Sequence, residues 1–459
     1  MLHARLVEAL EALTRERVAE QVERLAHHAL RGEVWDKALA YCRQAGARAH
    51  DHAAFHEAVA SFEQALQALE YLHEHRDTRV LALDLRLSLV RSLNALGEYG
   101  RCLALLGEAE VLARALDDRA RLGRVLAPMV VVLRMTGDLD GAMAAGQQAL
   151  ALAAELDESV LQMQATYNLG TAYYTIGDFG RAAELLLRTV EAADREAGTP
   201  STDVRIQSQA WLARSLSALG AFAEGRRHGE EALRFATLAG RGITPIVAHS
   251  RLGHLYLAQG DLAHASRVLE QGLALCRASG NRNQLHTIVA GLGYAYALQG
   301  RLAEGRALLE EGISESRRMG ALQNRSLWVA WLSEVCRLAG HWDEAWQHAG
   351  QALDLARQLK ERGNEALALH RLGVVQAHAD PPDVVQAEAH YQQALALAEE
   401  LGMRPLQAHC HLGLGTLYIT IGQWAKARTE LSTAIALYQS MDMTFWLPQA
   451  EAALAQVEE

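Results

Sequence analysis

The chain has 459 residues, of which 50% are hydrophobic, 6% aromatic and only 7 proline, a balance that favours helices over strands. Its 44 basic and 55 acidic residues give a net charge of −11, so the average surface repels nucleic acid and anionic lipid. The longest apolar run, Leu126 to Leu133, spans eight residues and contains a proline, far short of the roughly 20 residues that a bilayer-spanning helix needs.

The first residues, Met1-Leu-His-Ala-Arg-Leu-Val-Glu8, interleave charges with apolar side chains and lack the apolar block of a leader peptide, which predicts a cytoplasmic protein without a membrane partner. Trp35-Asp-Lys-Ala38 looks like a degenerate copy of a pattern that begins properly at Gly46, Phe55, Ala58, Phe62 and Ala65, with Gly46 read as lying in a turn region. Residues 1–50 are therefore expected to form an irregular helical lead-in or N-terminal cap.

From there a glycine recurs at Gly97, Gly137, Gly177, Gly220, Gly260, Gly300, Gly340 and Gly422, with gaps of 40, 40, 43, 40, 40, 40 and 82. The last gap is a double one and predicts a hidden repeat, visible as Leu372-Gly373 followed by Ala387, Tyr391 and Ala394, with Asp380-Pro-Pro382 in place of the tight turn. The 43-residue gap predicts a longer loop at Gly198 to Thr202. Eight residues before each glycine stands a large hydrophobe, such as Leu169 or Leu252, often followed by a second glycine, such as Gly170 or Gly253. Two residues after it stands a bulky apolar residue, such as Phe179 or Trp342, and five after it a small one, such as Ala182 or Gly305. A first helix that ends at a left-handed glycine, and a second that crosses it where small side chains face each other, accounts for every offset. The glycines thus serve packing rather than phosphate binding. Residues 51–440 are predicted to be one solenoid, and residues 441–459 a capping helix for its last open face.

Candidate chemistry is sparse. Cys42, Cys102, Cys276, Cys336 and Cys410 are scattered and odd in number, and they read as small buried hydrophobes. His409-Cys410-His411 puts its histidines on opposite sides of a helix, His52 and His56 sit near Gly46, and His27-His28 are merely adjacent, so no metal is expected. The sequence has no Gly-x-x-x-x-Gly-Lys-[Ser/Thr], His-Glu-x-x-His or Gly-x-Ser-x-Gly motif, so neither a catalytic site nor a cofactor is predicted.

The pattern Leu252-Gly253-His-Leu-Tyr256, then Gly260 and Ala265, and its copy Leu414-Gly415-Thr-Leu-Tyr418, then Gly422 and Ala427, resembles the tetratricopeptide repeat (TPR). The period of about 40 is similar to the lengthened repeats of MalT-type activators and other STAND signalling ATPases, and Val22 to Gly46 resembles the segment that joins ATPase to repeats in bacterial regulators. The resemblance implies an all-α, right-handed superhelical solenoid of about ten helix-turn-helix repeats, whose first helices line the concave face. It also implies the sensor part of a regulator with an ATPase or cyclase domain upstream, or a stand-alone descendant of one. The inner-face positions, counted back from each turn glycine, are Arg91, Asn94, Arg134, Tyr167, Asn168, Tyr174, Trp211, Arg214, Arg251, His254, Tyr294, Trp331 and Arg337. Arginines interleaved with aromatics suit a protein or peptide partner, an acidic one included. The rival readings are a pocket for an oligosaccharide-like small molecule, as in MalT-type activators, and nucleic acid along the arginine row, which the net charge opposes.

Overall fold

The structure, a computed structural model, describes residues 2–13, 21–195, 199–239 and 243–458. Among them are 23 α-helices and no strand. Helices α1 (Leu2–Leu13) and α2 (Val22–Arg31) precede ten helix pairs. The first five pairs are α3 (Trp35–Asp51) with α4 (Phe55–Glu70), α5 (Arg76–Leu96) with α6 (Tyr99–Ala115), α7 (Arg119–Thr136) with α8 (Leu139–Leu156), α9 (Ser159–Ile176) with α10 (Phe179–Arg195), and α11 (Thr199–Ala218) with α12 (Phe222–Ala239). The second five are α13 (Thr244–Gln259) with α14 (Leu262–Ser279), α15 (Leu285–Leu298) with α16 (Leu302–Arg318), α17 (Arg325–Leu338) with α18 (Trp342–Gln358), α19 (Arg362–Ala377) with α20 (Val384–Glu400), and α21 (Arg404–Thr420) with α22 (Trp424–Ser440). A last helix, α23 (Leu447–Glu458), follows.

Each of the eight periodic glycines takes a positive φ, between 69° and 106°, and so ends the first helix of its pair. Asp138, Asp178 and Asp261 follow immediately and cap the second helix, accepting hydrogen bonds from the amides of Gly141, Arg181 and His264. Connections after the pairs close in the same left-handed way, some on Gly280, Gly320 and Gly402 and others on residues with side chains: Asp117, Asp157, Lys360 and Asp442 have φ between 51° and 56°. Within a pair the helices approach through the small residues. A Cβ on Gly293 would lie 2.7 Å from the Gly305 carbonyl oxygen, and a Cβ on Gly305 would lie 2.6 Å from that of Gly293.

Three sequence expectations are corrected here. Gly46 is inside α3, pressed against the Phe62 ring, and the left-handed turn is at Ala53, φ 59°. The first complete pair accordingly begins at Trp35, within the segment read as a lead-in. Residues Thr199 to Thr202 open α11 instead of forming a loop, and Gly198 lies outside the described residues.

The two helices of a pair have different surroundings. In α14 the buried residues form a single stripe, Leu262, Ala265, Ser266, Val268, Leu269, Gly272, Leu273 and Cys276. In α13 every residue from Ile246 to Leu257 is buried, so it has neighbours on all sides. Those neighbours arise because the solenoid winds onto itself. The Arg282 amide donates to the Ala95 carbonyl at 2.9 Å, the Leu322 amide to the Met135 carbonyl at 2.7 Å, and Gln323 Nε2 to Thr175 Oγ1 at 3.1 Å. Met319 lies against Gly97, Leu359 against Gly137, Met441 against Gly220, and Trp446 against Gly260. The turns of the early pairs thus rest on the connections of the late ones, with side-chain-free glycine surface receiving a bulky apolar residue at each contact.

Candidate functional site

The winding leaves an apolar groove on the early inner helices and covers much of the later ones. The groove, about 540 Å³, is lined only by residues between Leu87 and Asn168, on α5, α7 and α9 and at Glu158 just before α9. Its floor is apolar, from Leu87, Val90, Val131, Val132 and Leu161, and Val160 at its edge is 50% exposed. Pro128 on its wall sits inside α7, where it has no N–H to donate to the Arg124 carbonyl. Asn168 is fully buried and donates to the Ala127 carbonyl at 2.7 Å, tying α9 to α7 beneath the groove. Arg91, Asn94, Arg124 and Glu158 supply its polar rim. Arg91 reaches His50 Nε2 at 3.4 Å, and Arg124 stands 3.8 Å from Glu158.

The interior holds two linked cavities of about 160 Å³ each, sharing Tyr294, Arg371, His409 and Trp446. Around the first, the Trp331 ring stacks on Tyr294 at 4.8 Å and on His254 at 5.9 Å between centroids. Arg214 lies over Tyr174, 5.7 Å from its centroid, and donates to Ser217 Oγ at 3.2 Å. His254 donates from Nδ1 to the Ser250 carbonyl at 2.6 Å; burial, then the charge of Arg214, pushes its pKa down to about 3, so the ring is neutral. His409 is also held near 3, by burial and then Arg371. In the second cavity, burial alone would raise the Glu334 carboxyl, but Arg371 at 3.0 Å and Arg337 at 2.9 Å overrule it and hold it at about 2. Arg371 also donates to the Tyr294 hydroxyl at 2.9 Å.

A third group fills the interior between α7 and α13. Tyr174 meets Trp211 edge to face at 5.3 Å, and Trp211 is flanked by the guanidinium groups of Arg251, 3.9 Å from the ring centroid, and Arg134, 5.2 Å from it. Tyr167 is buried beside them and donates to Gln207 Oε1 at 3.0 Å.

Elsewhere, Cys336, Glu344 and His348 bring possible ligand atoms within 4.8 Å of one another, but Glu344 already pairs with Arg306 at 2.7 Å. His409 and His411 point apart, to Tyr438 and Glu430, as helix geometry requires.

In sequence, residues 123–312 match the profile of the MalT-like TPR region, and residues 383–440 match the tetratricopeptide repeat profile. The chain is a tetratricopeptide-repeat protein. No curated protein matches this TPR chain in sequence. Among solved structures its fold is similar to that of a Rap protein complexed with Competence and Sporulation Factor, at 13% identity over 80% of this chain and 98% of that one, with a TM-score of 0.57. A STAND protein with a tetratricopeptide-repeat sensor, from Pyrococcus horikoshii, matches over 92% of this chain and 74% of its own at 12% identity and a TM-score of 0.43.

The inner-face residues expected from the TPR register are thus distributed over three environments. Arg91, Asn94 and Asn168 meet at the groove; Tyr174, Arg214, His254, Tyr294 and Trp331 line the first cavity, with Arg337 in the second; Tyr167, Arg134, Trp211 and Arg251 are packed in the interior. The arginine row expected along the inner face is therefore corrected: Arg134 and Arg251 are 6% and 5% exposed, because the later TPR pairs close over them. The register missed Arg371, which stands nine residues before Asp380, where the hidden repeat has its turn, just as Arg251 stands nine before Gly260. His409 and Trp446 come from the last pair and the cap, and only the winding brings them to the cavity.

Proposed function

We propose that the protein is a non-catalytic sensor scaffold that captures a protein or peptide segment in the groove of α5, α7 and α9. The solenoid, read from the sequence as residues 51–440 and extended by α3 back to Trp35, serves as the recognition body, residues 1–34 as its lead-in and residues 441–459 as its cap. The observation that carries this reading is the groove itself: an apolar trough left uncovered by the winding, with arginines on its rim. An extended or helical segment can bury apolar side chains on Val131 and Val160 while its acidic groups meet Arg91 and Arg124. The structure of a Rap protein holding Competence and Sporulation Factor supports a TPR solenoid of this kind as a peptide receptor. We place the protein in a signal-transduction ATPase-type regulator, as its sensor region, on the strength of the MalT-like match.

Small-molecule sensing of the oligosaccharide type would need the aromatic interior, whose cavities of about 160 Å³ each fall below the roughly 300–1,000 Å³ of ordinary ligand sites. Size therefore favours the groove.

The test is selection of peptides from a random library on the full chain, followed by affinity measurement on Val131→Arg and Arg91→Glu. Selected peptides should be acidic and apolar, weaken at least roughly tenfold on either variant, and bind less tightly as salt rises. Peptides that bind both variants as well as the parent chain would refute the groove.

A further inference from the structure

We infer that the interior of the winding holds an oxyanion, a carboxylate or phosphate group, between Arg134 of α7 and Arg251 of α13. Both guanidinium groups stand against Trp211, and both side chains are more than nine-tenths buried. Arg251 donates to Gln284 Oε1 at 3.0 Å and weakly to Ser250 Oγ at 3.4 Å, but its Nε has no acceptor. Arg134 is less satisfied still, with neither Nε nor Nη1 hydrogen bonded. No carboxylate among the described residues pairs with either one. Their neighbours are the hydroxyls of Tyr99, Tyr167 and Tyr174, the further cation Arg214, and His254 and His286, both kept neutral with pKa values near 3.

The same fold neutralises buried arginines elsewhere. Arg337 and Arg371 share the Glu334 carboxylate, at 2.9 and 3.0 Å, although Arg371 Nε too has no acceptor. At Arg134 and Arg251 the corresponding acid is missing. Burial, then repulsion from Arg134, pushes Arg251 down only to about 9, so it remains charged at neutral pH. Contacts with the face of Trp211 recover part of the lost hydration but supply no acceptor for the three unmatched nitrogens. An oxyanion supplies both the charge and the acceptors, as arginine pairs with carboxylate and phosphate geometry. The site is separate from the groove and does not depend on a peptide partner.

The experiment uses the full chain, dialysed into chloride, and follows thermal unfolding while sodium phosphate or sodium succinate replaces chloride at constant ionic strength. Expected is a saturable rise in Tm with at least one oxyanion, phosphate alone marking a phosphoryl ligand and succinate alone a carboxylate one. Arg134→Met and Arg251→Met, which keep an apolar stem, should lose that rise while matching or exceeding the parent Tm in chloride. The ³¹P resonance of inorganic phosphate, or the methylene proton resonance of succinate, should broaden with the parent protein, a readout that needs no variant to fold. No saturable rise and no broadening with either anion, or an equal rise in both variants, would overturn the proposal, and neither result bears on peptide capture in the groove.

Discussion

Replacing Gly293 by alanine tests whether the small residues are there for close helix approach. Alanine alone improves a helix interior by about 1 kcal/mol over glycine. At this position, however, the new methyl would meet the Gly305 carbonyl oxygen at 2.7 Å and the Leu309 amide nitrogen at 2.8 Å. Both are backbone atoms and cannot rotate away, so overpacking of about 1–3 kcal/mol applies at its upper end, leaving a net loss of about 1–2 kcal/mol. Gly350, in the middle of α18, has nothing within 4 Å of its absent Cβ, so Gly350→Ala should gain up to about 1 kcal/mol. Repeat arrays open locally, so amide hydrogen exchange by mass spectrometry is the appropriate assay. Protection of α15 and α16 should fall by roughly 5–30-fold in Gly293→Ala, while that of α18 rises in Gly350→Ala. A Gly293→Ala protein protected as well as the parent would show that the crossing is loose and the periodic glycines have another purpose.

Glu334 gives a pH prediction. Its carboxyl is depressed in the fold to about 2, against an ordinary value near 4.3 in the unfolded chain, so its stabilisation is fully present above about pH 5 and disappears as pH falls towards 2. The shift corresponds to about 3 kcal/mol, and Glu334→Gln should flatten the acid limb of a urea-unfolding series between pH 5 and 2; an unchanged slope would contradict the pairing. At the seam, Asn283→Ala removes the donation from Nδ2 to the Asn94 carbonyl at 3.2 Å, a loss of about 1–2 kcal/mol, so the Arg282 amide should exchange faster than in the parent, and an unchanged rate would show that this contact does not hold the winding closed.

The pair architecture was legible in the sequence because its constraints are local. A left-handed glycine, the aspartate after it and the small residue five further on all act within one turn and two helices, so Gly260, Asp261 and Ala265 announce themselves in a 40-residue window. Gly46 misled for the same reason: it is a packing glycine, seven residues before a turn that Ala53 makes. The site was only half legible. Counting back from the turns found the inner helices and named Trp211, Arg251 and Trp331, but whether such a residue faces solvent depends on a second winding that arrives well over a hundred residues later in the chain. Gln323 on Thr175 and Trp446 on Gly260 show how that contact is made, through one amide and one ring with no periodic signature.

The closed winding underlies both the groove and the covered inner helices, and one distance tests it most directly. Asp140 and Lys360 form an ion pair across the seam, and both side chains are exposed, whereas all five native cysteines are buried. Spin labels at Asp140→Cys and Lys360→Cys should therefore report a short, single separation by pulsed dipolar spectroscopy. An extended solenoid, with helix layers 8–10 Å apart, would hold the same labels on the order of 50 Å or more from each other, and that result would contradict the account.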